Sequence, residues 1–241
     1  MVRTLGIIPA RMGSTRFPKK VLFPILEKPM IQYVWEACAR AQFLDEVLVA
    51  TDDPIIQSTV LGFGGKAVLT PSHFTSGSDR VAWVAAQTNA SIVVNIQGDE
   101  PLISPAAIDS LAAELLQNPQ TQISTLCTRA NTQEQGGCDA VVKVFFGPDG
   151  LATSFSRRLP RDYTDNYFYK HIGIYAFRRA ELLHLCQLPQ SPLEKQERLE
   201  QLRALECGMK IRVIESPFDT IAVDHFSDIV RVEAHLKEAI P

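Results

Sequence analysis

The sequence predicts an α/β fold with a mostly parallel sheet and helices on both faces. Two observations carry this. Short apolar runs alternate with amphipathic stretches at the spacing of strand–helix units. The first apolar run, Leu5-Gly6-Ile7-Ile8, leads directly into Pro9-Ala10-Arg11-Met12-Gly13-Ser14-Thr15-Arg16-Phe17-Pro18-Lys19-Lys20, a loop rich in cations and hydroxyls. In open α/β sheets ligands bind just beyond the carboxyl ends of the strands. A length of 241 residues, 46% hydrophobic and 21% charged, suits one α/β domain or a domain with a sub-domain, with ample core.

The elements follow in order. Thr4 to Pro9 is a buried strand. Met30 to Ala41 reads as a helix, with Ile31, Val34, Trp35 and Cys38 on one stripe. Glu46 to Ala50 is a strand, and Thr51-Asp52-Asp53-Pro54 opens a helix with Asp as cap and Pro in the first turn. Gly64 to Leu69 is a turn and a strand, Ser78 to Gln87 a helix, and Ser91 to Ile96 a strand; Ser104-Pro105 starts the next helix. The second half changes character. Gln122 to Arg129 and Val141 to Phe146 read as strands, Asp149-Gly150 as a turn, and Ser156 to Tyr169 as a loop of weak periodicity. His171 to Phe177 is a strand. Ser191 to about Gly208 reads as one long helix opened by the capping box Ser191…Glu194. Ile211 to Ile214 is a strand and His225 to Leu236 a final helix.

The net charge of −3 excludes a broad basic footprint for duplex nucleic acid, so the cations of the first loop are a local feature. Backbone N–H groups, hydroxyls and fixed cations suit a polyphosphate; a solvated basic loop is the plainer alternative. Gln97-Gly98-Asp99-Glu100-Pro101 follows the strand ending at Ile96, so its carboxylates face the same edge. Asp99 there suits a Mg²⁺ ion held by carboxylates and substrate phosphates, or an acidic turn capping the next helix. Asp224 is a second carboxylate of this kind, or a helix N-cap. Ser76-Gly77-Ser78-Asp79-Arg80 could grip a base or ribose, or cap a helix. Ser156-Arg157-Arg158, Lys170 to Tyr175 and Glu200 to Arg203 are further polar clusters, although Glu200 and Arg203 could form a helix-surface pair. Five scattered cysteines without a C-x-x-C pair read as free thiols of a reducing compartment. No signal-peptide core and no bilayer-length apolar run occurs, so a cytoplasmic protein without a membrane partner is expected.

In this order the segments resemble the 3-deoxy-manno-octulosonate (Kdo) cytidylyltransferase family, the CMP-Kdo synthetases. The resemblance runs from about Ile7 to Val232. It rests on Ile-Pro-Ala-Arg-x-x-Ser-Thr-Arg-x-Pro (Ile8 to Pro18), Lys-Pro-Met-Ile (Lys28 to Ile31), Val-Ala-Thr-Asp (Val49 to Asp52), Ser-Gly-x-x-Arg (Ser76 to Arg80) and Val-Asn-x-Gln-Gly-Asp-Glu-Pro (Val94 to Pro101). Phe-Ser-Arg (Phe155 to Arg157), His-Ile-Gly-Ile-Tyr (His171 to Tyr175), Ser-Pro-Leu-Glu (Ser191 to Glu194), Leu-Glu-Gln-Leu-Arg (Leu199 to Arg203) and Val223-Asp224 complete it. The resemblance implies a Rossmann-like, glycosyltransferase-A-like nucleotidyltransferase domain over residues 1–241. A sub-domain inserted at about 155–210 would serve acceptor binding and homodimerisation. The implied reaction is transfer of CMP from CTP to the anomeric hydroxyl of Kdo, releasing pyrophosphate. By resemblance, Arg11, Ser14, Arg16 and Lys20 hold the triphosphate, and Ala10, Ser76 and Arg80 contact cytosine or ribose. Asp99 and Asp224 ligate Mg²⁺; Gln97, Arg157, His171, Tyr175, Glu200 and Gln201 shape the sugar pocket. Lys20, Arg11 and Asp99 would be the catalytic group.

The chain also departs from the family pattern. Lys19 stands where a glycine is usual, and Val21 where a proline is. His225-Phe226-Ser227 replaces Thr-Pro-Glu ahead of Asp228, and Cys138-Asp139-Ala140 replaces an Asn/Pro-rich turn. A positive φ at Lys19 would strain a side chain there, so the loop either changes shape or gains a second cation for phosphate. Transfer to 8-amino-Kdo or another acidic sugar, and a non-catalytic CTP-binding protein on this fold, are the competing readings. The absence of G-x-G-x-x-G after the first strand argues against a dinucleotide oxidoreductase.

Overall fold

A computed structural model describes residues 4–13, 17–74 and 76–238. The strands are β1 (Thr4–Ala10), β2 (Pro24–Ile25), β3 (Lys28–Pro29), β4 (Glu46–Thr51), β5 (Ala67–Leu69), β6 (Ile92–Asn95), β7 (Ile123–Asn131), β8 (Lys143–Phe146), β9 (Ala152–Ser156), β10 (Tyr167–Arg178) and β11 (Ile211–Glu215). The helices are α1 (Met30–Ala39), α2 (Pro54–Gly62), α3 (Gly77–Ala86), α4 (Pro105–Gln117), α5 (Thr132–Gln135), α6 (Arg179–Gln187), α7 (Pro192–Glu197), α8 (Gln201–Glu206) and α9 (Phe226–Glu238).

The main sheet has the order β11-β7-β10-β6-β1-β4-β5, with β8 and β9 attached at β10. β1 pairs in parallel with β4 and β6, and β4 with β5. β10 runs against both β6 and β7, while β11 is parallel to β7. The expected α/β fold with a mostly parallel sheet is therefore the observed one. The alternation of β1 divides the core: Ile8 and Ala10 join α1, α2 and α4 on one face, while Leu5 and Ile7 join α3, α6 and α8 on the other. A smaller cluster of Ile25, Met30, Val223, Ile229 and Val232 fixes α9 beneath the β2–β3 hairpin.

Local signals set the boundaries. Asp53 caps α2, accepting from the N–H groups of Ile55 at 2.7 Å and Ile56 at 3.4 Å. Ser191 and Glu194 form the expected capping box. The long helix expected from Ser191 to Gly208 is instead two short ones. Arg198 adopts φ 56 and ψ 46, which ends α7 and turns Leu199 into the core. The weakly periodic stretch from Ser156 to Tyr169 also holds more strand than expected, because β9 ends at Ser156 and β10 begins at Tyr167. β9 and α6 carry weak periodicity and had no sequence counterpart. Residues 155–210 include β10, which lies inside the main sheet between β6 and β7. All five cysteines are free thiols.

A left-handed non-glycine residue costs about 1–2 kcal/mol, part of which glycine forfeits through a more mobile unfolded chain. Arg198→Gly should therefore raise the unfolding free energy by about 0.5–1 kcal/mol in urea titration. Destabilisation would mean that the Arg198 side chain contributes more than its backbone strain costs.

Candidate active site

The carboxyl ends of β1 and β6 open into a cavity of about 280 Å³. Ala10, Arg11, Lys20, Ser76, Arg80, Gln97, Asp99 and Asp224 all line it, so the structure brings these candidates together. Ser14 and Arg16 lie outside the described residues.

Lys20 is the centre of charge. Only 9% exposed, it places its Nζ 2.6 Å from Asp99 Oδ2 and 3.6 Å from Asp224 Oδ1. Three devices aim these groups. Lys19 takes φ 59 and ψ 21, so the turn keeps the left-handed geometry of a glycine and bears its strain. Its N–H donates to the Met12 carbonyl at 3.2 Å, closing the loop, and Lys20 begins a short 3₁₀ turn through Leu22. Gly98 lets the β6 turn pass close to β1, since a Cβ there would lie 3.2 Å from both the Pro9 carbonyl oxygen and the Ile31 side chain. The Val223 N–H donates to the Asp99 carbonyl at 2.9 Å, which brings Asp224 alongside.

Asp224 lies two residues ahead of α9. The Asp228 carboxylate accepts from the N–H groups of Asp224 at 3.0 Å and His225 at 2.8 Å. The unusual His225-Phe226-Ser227 stretch has a packing consequence. Phe226 meets Phe23 and Phe17 edge to face, with centroids 5.6 and 6.3 Å apart, tying α9 to the basic loop. Among the described residues no three His, Cys, Asp or Glu side chains form a metal cluster. Asp99 and Asp224 nevertheless aim carboxylate oxygens at one cation, the Lys20 ammonium. Two hard oxygen donors fit an ion such as Mg²⁺, which fills its remaining positions with water and phosphate oxygens.

Arg80 is buried and held by structure. It pairs with Asp52 at 3.0 Å and donates to the Thr70 hydroxyl. Ser76 both faces the cavity and caps α3, accepting from the Asp79 N–H at 3.0 Å.

A second cavity, of about 260 Å³, adjoins the first at Gln97. Gln97, His171, Tyr175, Glu200 and Gln201 line it. Arg157 does not. Its guanidinium is directed to main-chain oxygens, donating to Glu197 at 2.9 Å, Asp139 at 3.0 Å and Arg198 at 3.4 Å. A bulge in β10 between Ile172 and Tyr175 accompanies the alternation that presents His171, Gly173 and Tyr175 to the cavity. Burial lowers the His171 pKa from 6.5 to about 3, so the ring is neutral. The Thr125 hydroxyl has one proton and the Ile174 carbonyl accepts it at 2.9 Å; His171 Nε2–H then donates to Thr125 at 2.9 Å. Burial, and then the charge of Glu200, raise the Tyr175 pKa.

Glu200 and Arg203 are no surface pair. Arg203 is buried and binds Glu194 through two hydrogen bonds of 2.6 and 2.8 Å, with Glu200 at 3.4 Å. Glu200 also accepts from the Ser78 hydroxyl at 2.5 Å, and burial raises its pKa. Ser78 and Asn95 also line this cavity, beside apolar side chains such as Ile123, Val142, Phe177 and Leu199, and neither stands out as a site residue in the sequence. For Asn95 the signal was an amide in an otherwise apolar strand.

An open α/β sheet carrying a cationic loop and two convergent carboxylates at its carboxyl edge defines a phosphate-binding protein suited to nucleotide chemistry. The cytidylyltransferase family matches residues 5–211. A 3-deoxy-manno-octulosonate cytidylyltransferase of Geobacter sulfurreducens is 45% identical over 246 residues, covering 96% of this chain and 98% of that one. One from Solibacter usitatus is 44% identical over 242 residues, covering 99% and 96%. A solved CMP:2-keto-3-deoxy-manno-octonic acid synthetase complexed with CTP superposes with a TM-score of 0.93 at 38% identity, covering 99% of this chain and 100% of that one. The chain belongs to the 3-deoxy-manno-octulosonate cytidylyltransferase family.

The neutral His171 gives a pH test. Between pH 6.5 and about 3 the unfolded chain binds a proton at this residue and the folded chain does not, so stability is lost as pH falls through that window. The slope is at most about 1.4 kcal/mol per pH unit. From pH 7.5 to 5.5 the wild type should lose about 1 kcal/mol more than His171→Gln in urea unfolding. Glu100, whose pKa burial lifts to about 7, titrates in both proteins and cancels in the comparison. Equal losses would mean that the folded ring takes up its proton at the ordinary pH.

Proposed function

We propose that this chain transfers CMP from CTP to the anomeric hydroxyl of Kdo, releasing pyrophosphate and activating the sugar for lipopolysaccharide synthesis. The observation that carries the reading is the pair of cavities meeting at Gln97, one holding the Lys20–Asp99–Asp224 cluster and the other setting polar groups such as Ser78, Asn95, Glu200 and Gln201 among apolar side chains. Their adjacency suits in-line attack at the α-phosphate by a hydroxyl in the second cavity. Such a reaction is catalysed mainly by positioning and charge neutralisation.

The nucleotide side comprises Arg11, Ser14, Arg16 and Lys20 on the triphosphate, with Ala10, Ser76 and Arg80 toward cytosine and ribose. Lys20 offsets negative charge at the α-phosphate. Asp99 and Asp224 hold Mg²⁺, which supplies further charge neutralisation on phosphate oxygens. Gln97, His171, Tyr175, Glu200 and Gln201 surround the acceptor. Arg157 serves that pocket from outside, by holding the Glu197 and Arg198 carbonyls just ahead of Glu200. Residues about 155–210 serve acceptor binding and homodimerisation. The enzyme works in the cytoplasm without a nucleic-acid or membrane partner. No helix among the described residues is long and apolar enough to cross a membrane.

The test is pyrophosphate release from CTP and Mg²⁺ with Kdo, 8-amino-Kdo, a sialic acid or no acceptor. Fastest release with Kdo is expected. Faster release with another acid would keep the chemistry and move the substrate, and CTP binding without release would indicate a binding protein. In the active protein, Asp99→Asn should lower kcat by about a hundredfold or more while nucleotide binding changes far less. Lys20→Ala should impair transfer strongly; a mild effect would assign that charge to Lys19.

A further inference from the structure

We propose that Asn95 is a specificity residue of the acceptor cavity, presenting its side-chain oxygen to one hydroxyl of the acceptor sugar. The inference rests on the reading of that cavity as the acceptor site. Asn95 ends β6, where side chains alternate between faces. Val94 and Ile96 enter the apolar core on one side, and Asn95 and Gln97 line the cavity on the other.

Asn95 is 1% exposed, and its Oδ1 has no hydrogen-bond partner. A buried acceptor left unsatisfied is costly, and such atoms are few in folded proteins. An apolar residue would avoid this cost at a central strand position. Its neighbours determine which end of the amide faces the cavity. The Ser78 hydroxyl gives its single proton to Glu200 Oε2 at 2.5 Å. The Ser78 oxygen is therefore left to accept, and Asn95 Nδ2 donates to it at 3.4 Å. The amide nitrogen is engaged in that chain, and Oδ1 is the end left for a ligand. The chain is anchored beyond Glu200 by Arg203 and Glu194. An unpartnered acceptor oxygen in a cavity whose walls are largely apolar, with Gln97, the neutral His171 and Gln201 among them, calls for a hydroxyl donor from the ligand. A polyhydroxylated acid supplies one.

The experiment compares the wild type with Asn95→Ala and Ser78→Ala, using Kdo and analogues that each lack one hydroxyl. Asn95→Ala should raise the acceptor KM about tenfold and leave the CTP KM unchanged. The difference from wild type should vanish for one deoxy analogue only, the one lacking the hydroxyl that Oδ1 receives. Ser78→Ala, on a helix rather than the central strand, should show a weaker loss with the same analogue pattern, because it removes the group that orients the amide. It keeps the test open should Asn95→Ala fail to fold. An unchanged acceptor KM in the folded variants, or an equal loss with every analogue, would overturn the inference. Failure of the wild type with every acceptor would instead overturn the reading of the protein as a sugar cytidylyltransferase.

Discussion

Two carboxylates sharing one mostly buried ammonium, Asp99 and Asp224 about Lys20, are the constraint on which the rest of the site depends. Burying the ammonium is tolerable only when it is paired, and the two carboxylates that pair it stay partly open to solvent, at 30% and 39% exposed. Three separate parts of the chain must therefore arrive together: the loop after β1, the turn after β6 and the segment before α9. The fold meets this with backbone devices. Lys19 bears a left-handed conformation, Gly98 permits close passage beside β1, and Val223 donates to the Asp99 carbonyl. The packing of α9 under the β2–β3 hairpin holds the third part in place.

The second cavity is built on a different principle. Its polar groups form an oriented hydrogen-bond chain, from Glu194 and Arg203 through Glu200 and Ser78 to Asn95. Burial keeps His171 neutral, so this cavity carries no histidine charge. Gln97 belongs to both cavities, because the second residue after β6 stands where the two meet.

Much of this was legible in the sequence. The strand–helix alternation follows from periodicity, and the residues at the ends of β1 and β6 could be placed at one edge because parallel strands share a carboxyl side. What could not be read were features decided by tertiary contacts. The break at Arg198 is one, since a helix-compatible arginine takes a left-handed backbone to carry Leu199 inward and continue into α8. Arg157 is another: the resemblance placed it in the sugar pocket, whereas the folded chain occupies it with three carbonyl oxygens. Asp224 reads from the sequence equally as a helix cap, and its approach to Lys20 depends on a tertiary bond, from the Val223 N–H to the Asp99 carbonyl.

The most direct test of this account is a Mn²⁺ titration followed by electron paramagnetic resonance, with CTP present and no acceptor. It would compare the wild type with Asp99→Asn, Asp224→Asn and the double variant. If the two carboxylates act as one cation site, each single substitution should cost nearly as much affinity as both together. Losses that simply add, or a single variant that binds like the wild type, would contradict it.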